Sequence, residues 1–257
     1  MRKYTQIVTA RMTRMKIEND LYFFRQRTHI RFGTSESVIG IVFMTNPGSF
    51  EFKQTSGWND FKSGLGNQEF MEAESYADVT MQNIIEVINQ GFRQSTMHEP
   101  DGIVKIFNIS NLVQTDSKKV STAHTKLRLY LGEERIMDML EDPVVHSKIG
   151  FHEECNQAMF LMMGFVRNVF PEHINRLVKW AEPYEDKLIV ALDNKKHPSH
   201  PRRWRTEKDL GYQAVQRIAD VEGEAEKKKV ETIWWSPPQI YKKTDKVDVI
   251  GLLSVYR

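Results

Sequence analysis

The sequence predicts an α/β protein of three layers (α/β/α), in which helices cover both faces of a central sheet of four mostly parallel strands, with additions at both ends of the chain. Three observations support that class. Four apolar runs, at residues 38–44, 102–110, 157–165 and 187–192, alternate with stretches of helical character, the order expected of a parallel sheet with crossover helices. The first of them, VIGIVFM, carries no charge, as in a strand covered on both faces. Residues 78–91 place Met81, Ile84, Ile85 and Ile88 at the i, i+3, i+4, i+7 spacing of an amphipathic helix.

Residues 3–17 mix polar and apolar side chains and suit strand and helix equally. Residues 21–32, LYFFRQRTHIRF, are aromatic and β-branched with interleaved cations, which predicts an edge strand or hairpin leading into the central strand. That central strand stops at Asn46-Pro47-Gly48, because proline cannot continue a ladder and glycine permits a tight turn. Thr45, Asn46 and Ser49 are thereby placed just past the carboxyl end of a parallel strand, where open α/β sheets bind ligands. A plain tight turn is the simpler account of the same tripeptide. Residues 51–70 form a long polar loop, read either as a lid or binding loop or as a surface excursion.

Asp78 caps the following helix and Gly91 is expected to stop it. The second strand, 102–110, ends in the polar corner of Asn108, Ser110 and Asn111. Residues 113–150 are charged and weakly periodic, one or two helices without evident chemistry. The run at 157–165 fits a third buried strand or the middle of a helix, and its methionines read as core filling. Pro171 suits the first turn of a helix reaching Trp180, and 187–192 make the fourth strand. Beyond these lie a helix over 207–220, a solvated charge run over 222–229, and two added strands at 233–241 and 247–256 that pack Trp234 and Trp235 onto the sheet.

A chain of 257 residues with 40 % hydrophobic content can bury a sizeable core, here taken as one domain with its core at about 21–205 and a C-terminal extension at 206–257. Basic and acidic residues number 36 and 34, so an anionic partner must be met by a local patch. The single cysteine, Cys155, excludes an intramolecular disulfide and fits a reducing compartment. The first residues lack the apolar core of a signal peptide, and no run approaches the ~18 apolar residues of a membrane span. The expectation is a cytoplasmic protein.

The second chemical stretch is KKHPSHPRRWR, residues 195–205. It follows the fourth strand and should lie at the same carboxyl edge as Asn46. His197 and His200 offer donors there, and Arg202, Arg203 and Arg205 surround Trp204, the makings of a loop that contacts phosphates and stacks on bases. Two histidines three residues apart, with one cysteine and no second pair, argue against zinc.

Together, Asn46-Pro47-Gly48 after one strand and His197-Pro198-Ser199 near the end of the sheet resemble the two signature motifs of the uracil-DNA glycosylase superfamily. KIFNISNL, which contains Asn108, resembles that family's second strand with its base-reading Asn, and MFLMMGF resembles its third strand ending in Gly. Asp78-Val79-Thr80 is similar to the Asp-x-Thr of a related bacterial and phage domain of unassigned activity. The resemblance spans about residues 21–204 and leaves the C-terminal extension without a counterpart.

The resemblance implies a monomeric DNA glycosylase, independent of metal and cofactor, that flips a pyrimidine out of DNA, cleaves its N-glycosidic bond and leaves an abasic site. By the same resemblance Asn46 holds the attacking water, His197 hydrogen-bonds the departing base, Asn108 reads the base edge and Phe50 stacks beneath it. Gly48 stands where uracil-selective members carry Tyr, which implies room for a C5-substituted base. Such bases, hypermodified cytosine among them, occur in phage DNA, with host defence as one setting. The usual Leu wedge is missing, so Trp204 or an arginine would fill the gap left by the flipped base, with Ser199, His200, Arg202, Arg203 and Arg205 facing DNA. The rival readings are a module that binds modified DNA without cutting it and a nucleoside or nucleotide hydrolase.

Overall fold

A computed structural model describes residues 4–96 and 98–235. Its strands are β1 (Ile7–Ile17), β2 (Asp20–Phe32), β3 (Val38–Met44), β4 (Phe70–Tyr76), β5 (Gly102–Asn108), β6 (Phe160–Gly164) and β7 (Leu188–Ile189). They form one sheet in the order β4-β1-β2-β5-β3-β6-β7. Strands β5, β3, β6 and β7 run parallel, while β4, β1 and β2 are joined to them through antiparallel pairs. The α/β class therefore holds, but the sheet has seven strands rather than four and is mixed, so the four-stranded glycosylase-like architecture that the resemblance implies is not the one found. The four anticipated runs are its parallel half. The other half is harder to read because its outer strands turn few apolar residues inward: Val8, Ala10 and Met12 in β1, Met71 and Ala73 in β4, alternating with Thr, Arg and Glu.

The helices are α1 (Trp58–Lys62), α2 (Val79–Ser95), α3 (Ser117–Tyr130), α4 (Glu133–Arg135), α5 (Pro143–His146), α6 (Lys148–Gln157), α7 (Pro171–Ala181) and α8 (Lys208–Trp235). One face of the sheet is covered by α2 and α8 through Ile84, Ile85, Ile88, Ala214 and Ile218. The opposite face is covered by α6 and α7 through Phe151, Ile174 and Leu177, with Phe151 stacked on Phe43 of β3. Each buried Ile, Leu or Phe among these contributes roughly 1.5–3 kcal/mol. A smaller cluster sets α3 and the π turn at Ile136–Leu140 against Phe24 and Leu112. Among the described residues no helix is long and apolar enough to cross a membrane.

Several expectations are refined. The run at 157–165 divides between the end of α6 and β6, and Met162 and Met163 are fully buried. Gly91 does not stop α2, which continues to Ser95; a Cβ there would lie 2.5 Å from Cγ2 of Ile218, so glycine lets α8 approach. The loop at 51–70 is not a free lid, since Phe52, Trp58 and Phe61 are buried, with the Trp58 ring in contact with both phenyl rings. At the C-terminus α8 runs unbroken through the charge run to Trp235, so residues 233–235 are helical rather than part of a strand. The remainder of the two anticipated strands lies outside the described residues.

Candidate functional site

The carboxyl edge of the parallel strands opens on a cleft of about 640 Å³. Thr45 carries the ladders one residue past β3: its carbonyl accepts Ser110 N at 3.0 Å, and its hydroxyl accepts Val166 N at 2.8 Å. Asn46 follows, 8 % exposed. Its amide nitrogen donates to the carbonyls of Pro47 (2.8 Å) and Gln114 (2.7 Å). Both amide hydrogens are thus spent on the backbone. Oδ1 is left without a partner among the described residues, on a side chain that lines the cleft.

The histidine loop reaches the same cleft by a close approach. Phe165 N donates to Pro198 O at 3.1 Å and Ser199 N to Ala191 O at 2.8 Å, while the Asn83 amide of α2 donates to Pro201 O at 3.0 Å. A Cβ on Gly164 would meet Pro201 Cδ at 2.5 Å and Ser199 O at 2.9 Å, so only glycine lets β6 end beneath this loop. Asp193 organises its first turn. One carboxylate oxygen accepts Lys195 N (2.9 Å) and His197 N (3.2 Å), and the other pairs with Arg203 (3.2 Å) and Arg167. Burial acts to raise this carboxyl, but those N–H groups and the two guanidiniums outweigh it and hold it well below the usual carboxylate range.

His200, not His197, lines the cleft. Its Nδ1 accepts Arg202 N at 3.3 Å, which places the ring proton on Nε2. Burial pushes the imidazole down to about 4, against the attraction of Asp78 and with the help of Arg202, so it is a neutral donor at ordinary pH. His197 sits in the turn that Asp193 caps, half-buried, its Nε2 enclosed and unpaired among the described residues.

Asn46, Gly48, Ser49, His200, Arg202 and Arg203 therefore share one cleft, and His197, Asn108, Phe50, Ser199, Trp204 and Arg205 do not line it. Asn108, the last residue of β5 and level with Met44, is 1 % exposed and does not line the cleft, and its Oδ1 is enclosed and unpaired among the described residues. Ser199 is fully buried where it bridges to Phe165. Phe50 is a core residue, edge-on to Phe52, and offers no open face for stacking. Trp204 is 3 % exposed and, with Arg205, borders a separate groove between α2 and α8, so it is no wedge for this cleft.

Against models of protein families, curated proteins and solved structures, no match is found.

The cleft also holds residues that sequence reasoning assigned elsewhere or passed over: Arg25, Asp78, Gln114, Thr115, Phe165 and Arg167. Asp78 is expected as a cap and as the first residue of an Asp-x-Thr resemblance. It does cap α2, Oδ1 accepting Met81 N at 3.0 Å, but Oδ2 faces the cleft 3.4 Å from where a Cβ on Gly48 would stand. Part of the room left by Gly48 is therefore bounded by a carboxylate. Gln114 and Thr115 come from the segment thought to carry no chemistry. So does a buried chain in which His124 meets Ser110 Oγ (2.9 Å) and Glu141 (3.2 Å), and Glu141 meets His146 (3.2 Å). It lies off the cleft and braces the turn after β5.

Arg25 is 1 % exposed. Its backbone N donates to Asn111 O at 2.8 Å, and its guanidinium lies over the Phe50 ring at 5.2 Å. In the sequence Arg25 is one of three arginines in this strand, and nothing local sets it apart from Arg27 and Arg31. Four arginines and one carboxylate line the cleft among the described residues. Chemically the site offers an amide oxygen that can hold a water, a neutral imidazole N–H donor and a positive surround.

Proposed function

We propose that the chain is a DNA glycosylase that hydrolyses the N-glycosidic bond of a flipped, C5-substituted pyrimidine and leaves an abasic site. The observation that supports this best is that Asn46, with its Oδ1 free among the described residues, and the neutral His200 line one cleft at the carboxyl edge of the sheet. An amide oxygen orients a water but barely deprotonates it, which suits a bond that breaks largely before attack. The C1′–N electron pair leaves with the base, the water oxygen bonds to C1′, and the water proton passes to solvent. The Nε2–H of His200 stabilises the base anion by a hydrogen bond, the part the family resemblance gives to His197. The cleft lies within the ~300–1,000 Å³ range of small-molecule sites, and Arg202, the one cleft arginine without a carboxylate partner among the described residues, suits a flanking phosphate. Gly48, in place of a bulky residue, supports a substituted C5.

The test is mass spectrometry of bases released from defined oligonucleotides carrying different pyrimidine modifications. Release of a modified base, abolished by Asn46→Ala, is the expected result. His200→Ala should lower the rate ~100–1,000-fold, the scale of one preorganised donor, and His197→Ala only a few-fold. Tight binding without release would mean a recognition module, and cleavage of free nucleosides alone would mean a nucleoside hydrolase.

A further inference from the structure

Arg25 is the least satisfied buried charge in the cleft. Its Nε and Nη1 have no hydrogen-bond partner among the described residues, and the nearest carboxylate oxygen, Asp78 Oδ2, stands 3.7 Å from Nη1, beyond hydrogen-bond length. Burial pulls the guanidinium below its ordinary value, and Asp78 opposes that shift. The Asp78 side chain is itself only 8 % exposed, and its Oδ2 makes no hydrogen bond among the described residues. The two groups balance each other's charge while each keeps hydrogen-bonding capacity. A buried ionic pair left in that state is costly without a further partner. Both line the cleft, next to Gly48 and His200.

We infer that Arg25 and Asp78 together read the edge of the bound base, Arg25 donating to a ring carbonyl oxygen and Asp78 accepting from the adjacent ring N–H. This rests on the proposal that the cleft holds a nucleobase, and it supplies the edge reader that Asn108, buried off the cleft, does not. It selects 4-oxo pyrimidines of the uracil type over 4-amino pyrimidines of the cytosine type. A 4-amino group in the carbonyl's place would set donor against donor at Arg25, and the ring nitrogen beside it would set lone pair against lone pair at Asp78. The pair also suits catalysis. Negative charge arriving on the departing base spreads onto its carbonyl oxygens, and a fixed buried guanidinium meets it there.

The experiment uses the full chain and oligonucleotides in which the target sugar is 2′-fluoroarabinose, which resists glycosidic cleavage. 5-Methyluracil and 5-methylcytosine are compared so that the C5 group is constant. The wild type should bind the 4-oxo base about tenfold or more tightly, the scale of one well-placed base contact. Arg25→Gln should bring the ratio to within about twofold. Asp78→Asn, which keeps a capping oxygen for Met81 N but adds an amide donor, should lose the preference or turn it toward cytosine. A structural role would weaken both ligands alike and leave the ratio unchanged. No preference in the wild type, or an unchanged ratio in folded Asp78→Asn protein, overturns the inference, even if Arg25→Gln fails to fold. Cleavage of the matching 2′-deoxy oligonucleotides is measured alongside. Preferential binding without cleavage would remove the glycosylase proposal and leave the base-reading pair standing.

Discussion

Asp193, in the loop after β7, and Arg25, on the floor of the cleft, are both nearly closed off from water, yet their surroundings differ. Asp193 accepts two backbone N–H groups and pairs with two guanidiniums. Arg25 has one carboxylate at ion-pair distance and two nitrogens without a hydrogen bond. The first arrangement is complete in the protein alone, and the second is completed by something that enters the cleft. Saturation of a buried charge thus separates the scaffold of this site from its receptor.

The largest expected effect follows from removing the saturated charge. Asp193→Ala should cost about 3 kcal/mol in urea unfolding, the lower end for a broken buried ion pair because Arg167 and Arg203 are partly hydrated. A loss below ~1 kcal/mol would break the comparison. Next comes pH. His200 sits at about 4 in the fold, below its unfolded value of roughly 6.5, so between those limits the unfolded chain binds more protons. Stability should therefore fall by on the order of 1–3 kcal/mol as pH drops through that window, with the loss complete near its lower end. Replacing His200 with Gln should remove that share of the slope. The contribution of Asp193, whose carboxyl is held low, persists through this window and is lost only at more acid pH. The smallest effect is expected from the double replacement Arg25→Met with Asp78→Asn. Arg25→Met alone would strand the Asp78 carboxylate, but removing both charges while keeping a capping oxygen for Met81 N should shift stability by less than ~1 kcal/mol or raise it. A loss as large as that of Asp193→Ala would make the pair structural.

The sequence by itself determined the parallel half of the sheet, the helix at Asp78 and the convergence of the Asn46 and 195–205 loops. Uncharged β-branched runs, a 3.6-residue period and proline stops are local signals, and parallel strands deliver their carboxyl ends to one edge whatever else the chain does. The choice between two histidines three residues apart was decided only in three dimensions. Gly164 and Asn83 lock the loop so that His200 lines the cleft and His197 remains in the Asp193 turn. Arg25 was illegible for a related reason. β2 is antiparallel to β5, so the part of it that runs past the carboxyl edge is its first half rather than its end. Which side chains share a cleft is set by register between distant segments, and register is a property of the packed sheet that no single stretch of chain contains.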